Sequence, residues 1–204
     1  MKQISYGKAV YGKAEIKAVL NTITKTTQMG ENVNIFEKKV SNLFKKKYGI
    51  MTNSGSSALI IAVDALRLPK NTEVITPCLT FATTVSSIIK NDLIPSFVDV
   101  DIDTLCINPD EIEKKITKKT SAILIPDLIG NISNWKKIHK IAKKYKLKII
   151  HDSADTLGAL IDGKSTGSYS DISITSFYGS HVITAAGNGG MICTSDKKLY
   201  ETMR

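Results

Sequence analysis

Three short stretches hold the residues able to do chemistry. SFYGSHVITAAGNGG (176–190) ends an apolar run at Ser176-Phe177, follows it with His181 and closes on Gly187-Asn188-Gly189-Gly190. An imidazole there is a base, a metal ligand or a packed side chain, and the glycines let a backbone or a ligand come close. TNSGSSAL (52–59) turns from a short apolar run into a helical pattern. Free amides at a helix start favour an anion, and Ser56 and Ser57 add hydroxyl donors, so the turn reads either as a phosphate cradle or as a plain capped turn. No Gly-Lys-Ser/Thr follows, which separates it from the P-loop. IIHDSADTLGA (149–159) ends an apolar strand in His151-Asp152, with Asp155 three residues on. An acid at that place holds a metal, a ribose hydroxyl or a protonated ring nitrogen, or else caps the following turn. Opposite a pyridinium it would keep the ring cationic and a strong electron sink.

Other candidates are weaker. Phe81, in PCLTFATT (77–84), is a core residue or a face for a ligand. His151 reads as structural, and His139, in a Lys-rich helix, as exposed. His151, Asp152 and His181 lack the H-x-x-x-H or C-x-x-C spacing of a metal site, so no metal is expected.

These stretches need elements to hold them. Apolar spacing at Ile16, Val19, Leu20 and Ile23, and at Ile35, Phe36, Val40, Leu43 and Phe44, predicts two helices. From residue 50 short apolar strands alternate with amphipathic helices. Strands are predicted at 50–52, 73–76, 94–98, 121–126, 147–151, 172–177 and 191–194. Helices are predicted at 56–66, 81–90, 109–116 and 133–145, the last capped by Ser133. The end of the chain, Tyr200–Arg204, reads as the start of a further helix. The alternation predicts an α/β domain with a largely parallel sheet covered on both faces. In such sheets ligands sit outside the carboxyl ends of the strands. That rule selects 53–58, 151–158 and 176–190, the three polar, glycine-bearing strand exits.

Composition narrows the classes. The 204 residues are 42% hydrophobic and 23% charged, ordinary for a globular domain. The start, MKQISYGKAVYGK, lacks the apolar core of a signal peptide, and no apolar run is long enough to span a bilayer, so a cytoplasmic protein is expected. Cys78, Cys106 and Cys193 are far apart and odd in number, which suggests neither a disulfide framework nor zinc. The net charge of +9 comes from lysines on predicted polar helix faces, without interleaved aromatics. Solvated faces explain it better than a nucleic-acid surface, and it suits phosphorylated small molecules.

Taken in order, NSGSSAL, EVITPCLTFATT, LIPSFVDVDIDT, IIHDSADTLGA and SFYGSHVITAAGNGG resemble the DegT/DnrJ/EryC1/StrS family of PLP-dependent sugar aminotransferases. The resemblance runs through nearly the whole chain. It implies a fold type I large domain over 49–204, preceded by a helical segment over 1–48 that packs on it. It also implies that Gly55, Ser56, Ser57 and Ser176 hold the cofactor phosphate, that Phe81 stacks on the pyridine ring and that Asp152 pairs with its nitrogen. The aminotransferases carry their Schiff-base lysine where this chain has His181. An imidazole cannot tether the cofactor but still transfers protons near neutrality.

Histidine at that place resembles the 3-dehydratase branch, which includes CDP-4-keto-6-deoxyglucose 3-dehydrase and GDP-4-keto-6-deoxymannose 3-dehydratase. Asp155, where the aminotransferases usually have Gln, points the same way, within the cofactor-binding set. The resemblance implies C3 deoxygenation of a CDP- or GDP-linked 4-keto-6-deoxyhexose in deoxysugar, O-antigen or lipopolysaccharide synthesis. His181 would remove a proton from C4′ of PMP joined to the sugar's C4 ketone, and the C3 hydroxyl would leave. A homodimer is implied, with neither nucleic acid nor membrane as partner.

The chain also departs from the family. Ala154 stands where the CDP-sugar enzyme has its first cluster cysteine, which argues against a 2Fe–2S cluster. Asn188 replaces a loop glutamate, and Val182 a second histidine. The small C-terminal domain is missing, so a fragment or truncated product is expected, inactive alone if a second subunit must complete the site. Two alternatives follow: a sugar aminotransferase using another lysine, such as Lys164, or a truncated, non-catalytic relic.

Overall fold

The computed structural model describes residues 9–25, 29–181 and 183–204. Two helices come first, α1 (Lys13–Lys25) and α2 (Glu31–Leu43). The alternating part follows as β1 (Tyr48–Thr52), α3 (Gly55–Ala65), β2 (Glu73–Pro77), α4 (Ala82–Lys90), β3 (Ile94–Val98), α5 (Pro109–Lys115), β4 (Thr120–Pro126), α6 (Trp135–Tyr145) and β5 (Lys148–Asp152). A small hairpin, β6 (Leu160–Ile161) with β7 (Lys164–Ser165), leads to β8 (Ile172–Ser176), β9 (Gly190–Thr194) and α7 (Lys197–Met203).

The main sheet has seven strands in the order β1-β9-β8-β5-β4-β2-β3. β8, β5, β4, β2 and β3 are parallel neighbours, while β9 runs antiparallel to both β8 and β1. Two reversals restore direction, so β1 points the same way as β8. The carboxyl ends of six strands therefore share one edge, and β9 starts from it. In that row Thr52 pairs with Gly190 and Gly190 with Ser176.

Helices cover both faces, as the apolar strands require. Ala58, Leu59, Ala62 and Val63 of α3 pack with Ile150, Ile174 and Ile192 of the sheet and Ile88 of α4. Small side chains on α3 let it lie close over β8 and β9. The other face buries Ile112 of α5 and Trp135, Ile138 and Ile141 of α6 against Ile123, Ile125 and Ile149. Val40 of α2 and Phe44 extend that layer over Met191 and Cys193 of β9, whereas α1 buries none of its residues. Among the described residues no helix is long and apolar enough to cross a membrane.

Two local expectations change. The N-cap of α6 is Asn134, whose side chain accepts from the Lys137 amide at 3.2 Å. Ser133 does not cap it, because α6 starts one residue later and the buried Ser133 hydroxyl bonds none of its amides. His139 is half-buried rather than exposed, because its Nδ1 meets the Tyr169 carbonyl at 2.9 Å.

Candidate active site

The three polar strand exits meet at the shared edge. β8 ends on Ser176 and α3 starts on Gly55, and they touch: a Cβ built on Gly55 would lie 2.7 Å from that of Ser176. Ser54 caps α3, accepting from the Ser57 amide and donating to the Ser57 hydroxyl, each at 3.1 Å. The amides of Gly55 and Ser56 take no partner among the described residues. Two free N–H groups at a helix start, beside the hydroxyls of Ser56, Ser57 and Ser176, form a cradle suited to a phosphate. Ser54 was not among the sequence candidates, although an N-cap serine before a helical run is a recognisable signal.

Asp152 ends β5 and is 6% exposed. One hydrogen bond reaches its side chain, from the Ala154 amide at 3.1 Å. Burial pushes its carboxyl up to about 6, with Asp155 and Asp127 adding to the rise against that hydrogen bond and His151. A desolvated acid with so few donors is completed by a cation. A protonated ring nitrogen is such a cation.

Asp155 meets His181. Its Oδ1 lies 3.2 Å from the His181 Nδ1, and its Oδ2 accepts from the Ile129 amide at 3.0 Å. The His181 hydrogen bond holds the Asp155 carboxyl below its ordinary value, helped by the Ile129 amide and opposed by burial. Asp155 thus faces the imidazole directly. The loop carrying His181 is anchored at the fully buried Phe177, whose amide donates to Gly189 and whose carbonyl accepts from Ala185. Asn188 is exposed, and Val182 lies outside the described residues.

Phe81 stands at the exit of β2, 70% exposed, where it precedes α4. β2 is two strands from β5, roughly 10 Å along the edge. Its ring is available as a stacking face and serves no core.

His151 lies behind the site in a dry network. Asp127, fully buried, accepts from His151 Nε2 at 2.9 Å, the Trp135 indole at 3.0 Å and the Ser133 amide at 2.8 Å. Burial alone would raise the Asp127 carboxyl, but His151 and these donors hold it below its ordinary value. Asp127 escaped the sequence reading although it follows β4 as Asp152 ends β5, with an acid closing an apolar strand. Among the described residues no group of three or more His, Cys, Asp or Glu side chains is arranged to hold a metal. Lys164 stands elsewhere: its Nζ lies 4.7 Å from the centre of the Tyr169 ring, three residues before β8 begins. The hairpin that carries it is tied to the first turn of α6 by the Lys136–Asp162 ion pair, on the outer side of that helix layer.

The sequence profile of the DegT/DnrJ/EryC1/StrS aminotransferase family matches residues 10–204. The chain belongs to this family. Among its DegT-family relatives is the lipopolysaccharide biosynthesis protein RfbH of Salmonella typhimurium, 41% identical over 180 residues, covering 83% of this chain and 41% of that protein. Another is 3-oxo-glucose-6-phosphate:glutamate aminotransferase of Bacillus subtilis, 36% identical over 190 residues, covering 91% of this chain and 42% of that protein. A solved structure of GDP-4-keto-6-deoxy-D-mannose-3-dehydratase from E. coli, with bound hydrated PLP, superposes with a TM-score of 0.90 at 31% identity, covering 98% of this chain and 54% of that one. The chain thus spans about half the length of these relatives. Its fold is the fold type I PLP-dependent transferase fold, and the family is PLP-dependent. The cradle at Gly55 and the buried acid Asp152 fit that cofactor's two ends, a phosphate and a ring nitrogen.

Proposed function

We propose that this chain is the cofactor-binding part of a PLP/PMP-dependent nucleotide-sugar 3-dehydratase, with residues 49–204 as the large domain and 1–48 as its helical lead-in. The observation that carries the reading is His181 held by Asp155 at the sheet's carboxyl edge, where the resemblance puts the family's lysine. Bound there, the cofactor supplies an electron sink and, as PMP, an amine that joins a C4 carbonyl. The chain's residues do the rest. Gly55, Ser56, Ser57 and Ser176 bind the phosphate, Asp152 keeps a proton on the ring nitrogen, and Phe81 covers the ring.

His181 with Asp155 on Nδ1 presents Nε2 as the proton carrier. It takes a proton from carbon and delivers one to the departing C3 hydroxyl. An imidazole forms no lasting covalent bond to the cofactor, so amino transfer through a tether is disfavoured. The position of Lys164, over the Tyr169 ring beside α6, supports this reading over the aminotransferase one. The substrate class is a 4-keto-6-deoxyhexose carried on CDP or GDP, and a homodimer is its working form. Ala154, where the resemblance puts the first cluster cysteine of the CDP-sugar enzyme, favours a cycle without iron–sulfur chemistry.

The test is borohydride reduction of the chain loaded with PLP. The reading expects unmodified protein and, in His181→Lys, a covalent adduct at that lysine. A reduced adduct on wild-type Lys164 or any other lysine contradicts it.

A further inference from the structure

The short turn leaving β4 holds a residue in a conformation its side chain does not favour. Ile129 has φ 57° and ψ 27°, the left-handed region, where a β-branched residue is a genuine outlier. The residue is 68% exposed, so packing does not explain the choice. Gly130 follows with φ 84°, and Asn131 ties the turn down through its amide to the Leu128 carbonyl at 3.0 Å and its side chain to the Thr104 carbonyl at 2.7 Å.

The conformation aims one backbone amide. The Ile129 N–H reaches Asp155 Oδ2 at 3.0 Å, and the same carboxylate meets His181 Nδ1 with its other oxygen at 3.2 Å. Asp155 keeps about a third of its side chain exposed, so a path to solvent is open to it. A carboxylate accepts, so the imidazole facing it carries its proton on Nδ1, and Nε2 is left with the lone pair.

Building on the reading of His181 as the base, we propose that the Ile129 amide is a positioning group for it. It fixes the rotation of Asp155, and Asp155 in turn selects which His181 nitrogen is basic. The strained turn is then part of the proton-transfer apparatus, although Ile129 touches no reacting atom. Freed of that amide, Asp155 turns toward solvent and both neutral tautomers of His181 become populated.

Nitrogen-15 NMR of the three histidines reads the tautomer directly in the full chain, with and without PLP, using a His181→Asn variant for assignment. Ile129→Gly keeps the amide and suits the left-handed turn. Ile129→Pro removes the N–H and cannot take this φ. Wild type and Ile129→Gly are expected to hold His181 protonated at Nδ1, and Ile129→Pro and Asp155→Asn to show mixed tautomers. Should Ile129→Pro fail to fold, the Ile129 amide proton is the readout: it is shifted and protected from exchange in wild type and loses both in Asp155→Ala, which leaves it no acceptor. Unchanged tautomers in Ile129→Pro, an Nε2–H tautomer in wild type, or an Ile129 amide indifferent to Asp155→Ala would each overturn the proposal. A wild type with the Nδ1–H tautomer but no dehydration would refute the functional reading and leave the positioning role standing.

Discussion

Gly55 and Ser176, 121 positions apart in sequence, sit so close that one extra carbon on Gly55 would fall 2.7 Å from the Ser176 Cβ and 3.1 Å from its hydroxyl oxygen. The start of α3 and the end of β8 come together as the proposed phosphate cradle only because one of them has no side chain. Gly55→Ala must push one away, moving Ser176 or the free amides. PLP affinity is expected to fall roughly ten- to a hundred-fold, the loss of one charged hydrogen bond or two. Equilibrium dialysis against PLP measures it.

Asp152 makes apo stability depend on pH. Its folded value, raised by burial to about 6 from an ordinary 3.8, means that the native state binds the extra proton. The stabilisation is complete below the unfolded value and is lost as pH rises through about 6. At most roughly 3 kcal/mol is involved. Apo Asp152→Asn should therefore gain on wild type between pH 4 and pH 7 in urea unfolding. Added PLP should reverse the order at pH 8, where a ring cation meets the carboxylate. A pH-independent difference between the two apo proteins would refute this account of Asp152.

Two glycines of the 187–190 run predict opposite outcomes. A Cβ on Gly190 would run into the Ser54 carbonyl oxygen and lie 2.7 Å from the Gly55 nitrogen, both backbone. One on Gly187 meets nothing within 4 Å. Gly190→Ala should cost about 2–4 kcal/mol and disturb the cradle, since backbone cannot step aside as a side chain does. Gly187→Ala should stay within about 0.5 kcal/mol. Thermal unfolding of the pair decides.

The network around Asp127 is predicted to carry the fold rather than the chemistry. Asp127→Ala strands His151, the Trp135 indole and the Ser133 amide in a dry interior and should cost about 3–5 kcal/mol. Any protein that survives should still bind PLP, because none of these groups lines the cradle. Urea unfolding and PLP titration on the same samples separate the two effects.

Much of this was legible in the sequence because strand and helix periods are local properties. Apolar runs such as Ala122–Ile125 and Ile149–Ile150 announce buried strands, and the exits at Ser54, Asp152 and Ser176 follow from them. The β6–β7 hairpin was not legible, since two residues per strand leave no period to read. Ser133 misled because a serine before a helix is a usual cap, while here Asn134, an equally good cap beside it, takes that position. The Asp155–His181 pair spans 26 residues and exists only once β5 and β8 lie side by side. The resemblance supplied a role for His181, but its partner on Nδ1 came from the fold.

The most direct test of the central claim follows the sugar's C3 oxygen. The enzyme of which this chain is the proposed cofactor-binding part is loaded with PMP and given a CDP- or GDP-linked 4-keto-6-deoxyhexose labelled with oxygen-18 at C3. Labelled water is expected from wild type and none from His181→Asn. Retention of the label, with an amino group appearing at C4, would contradict it.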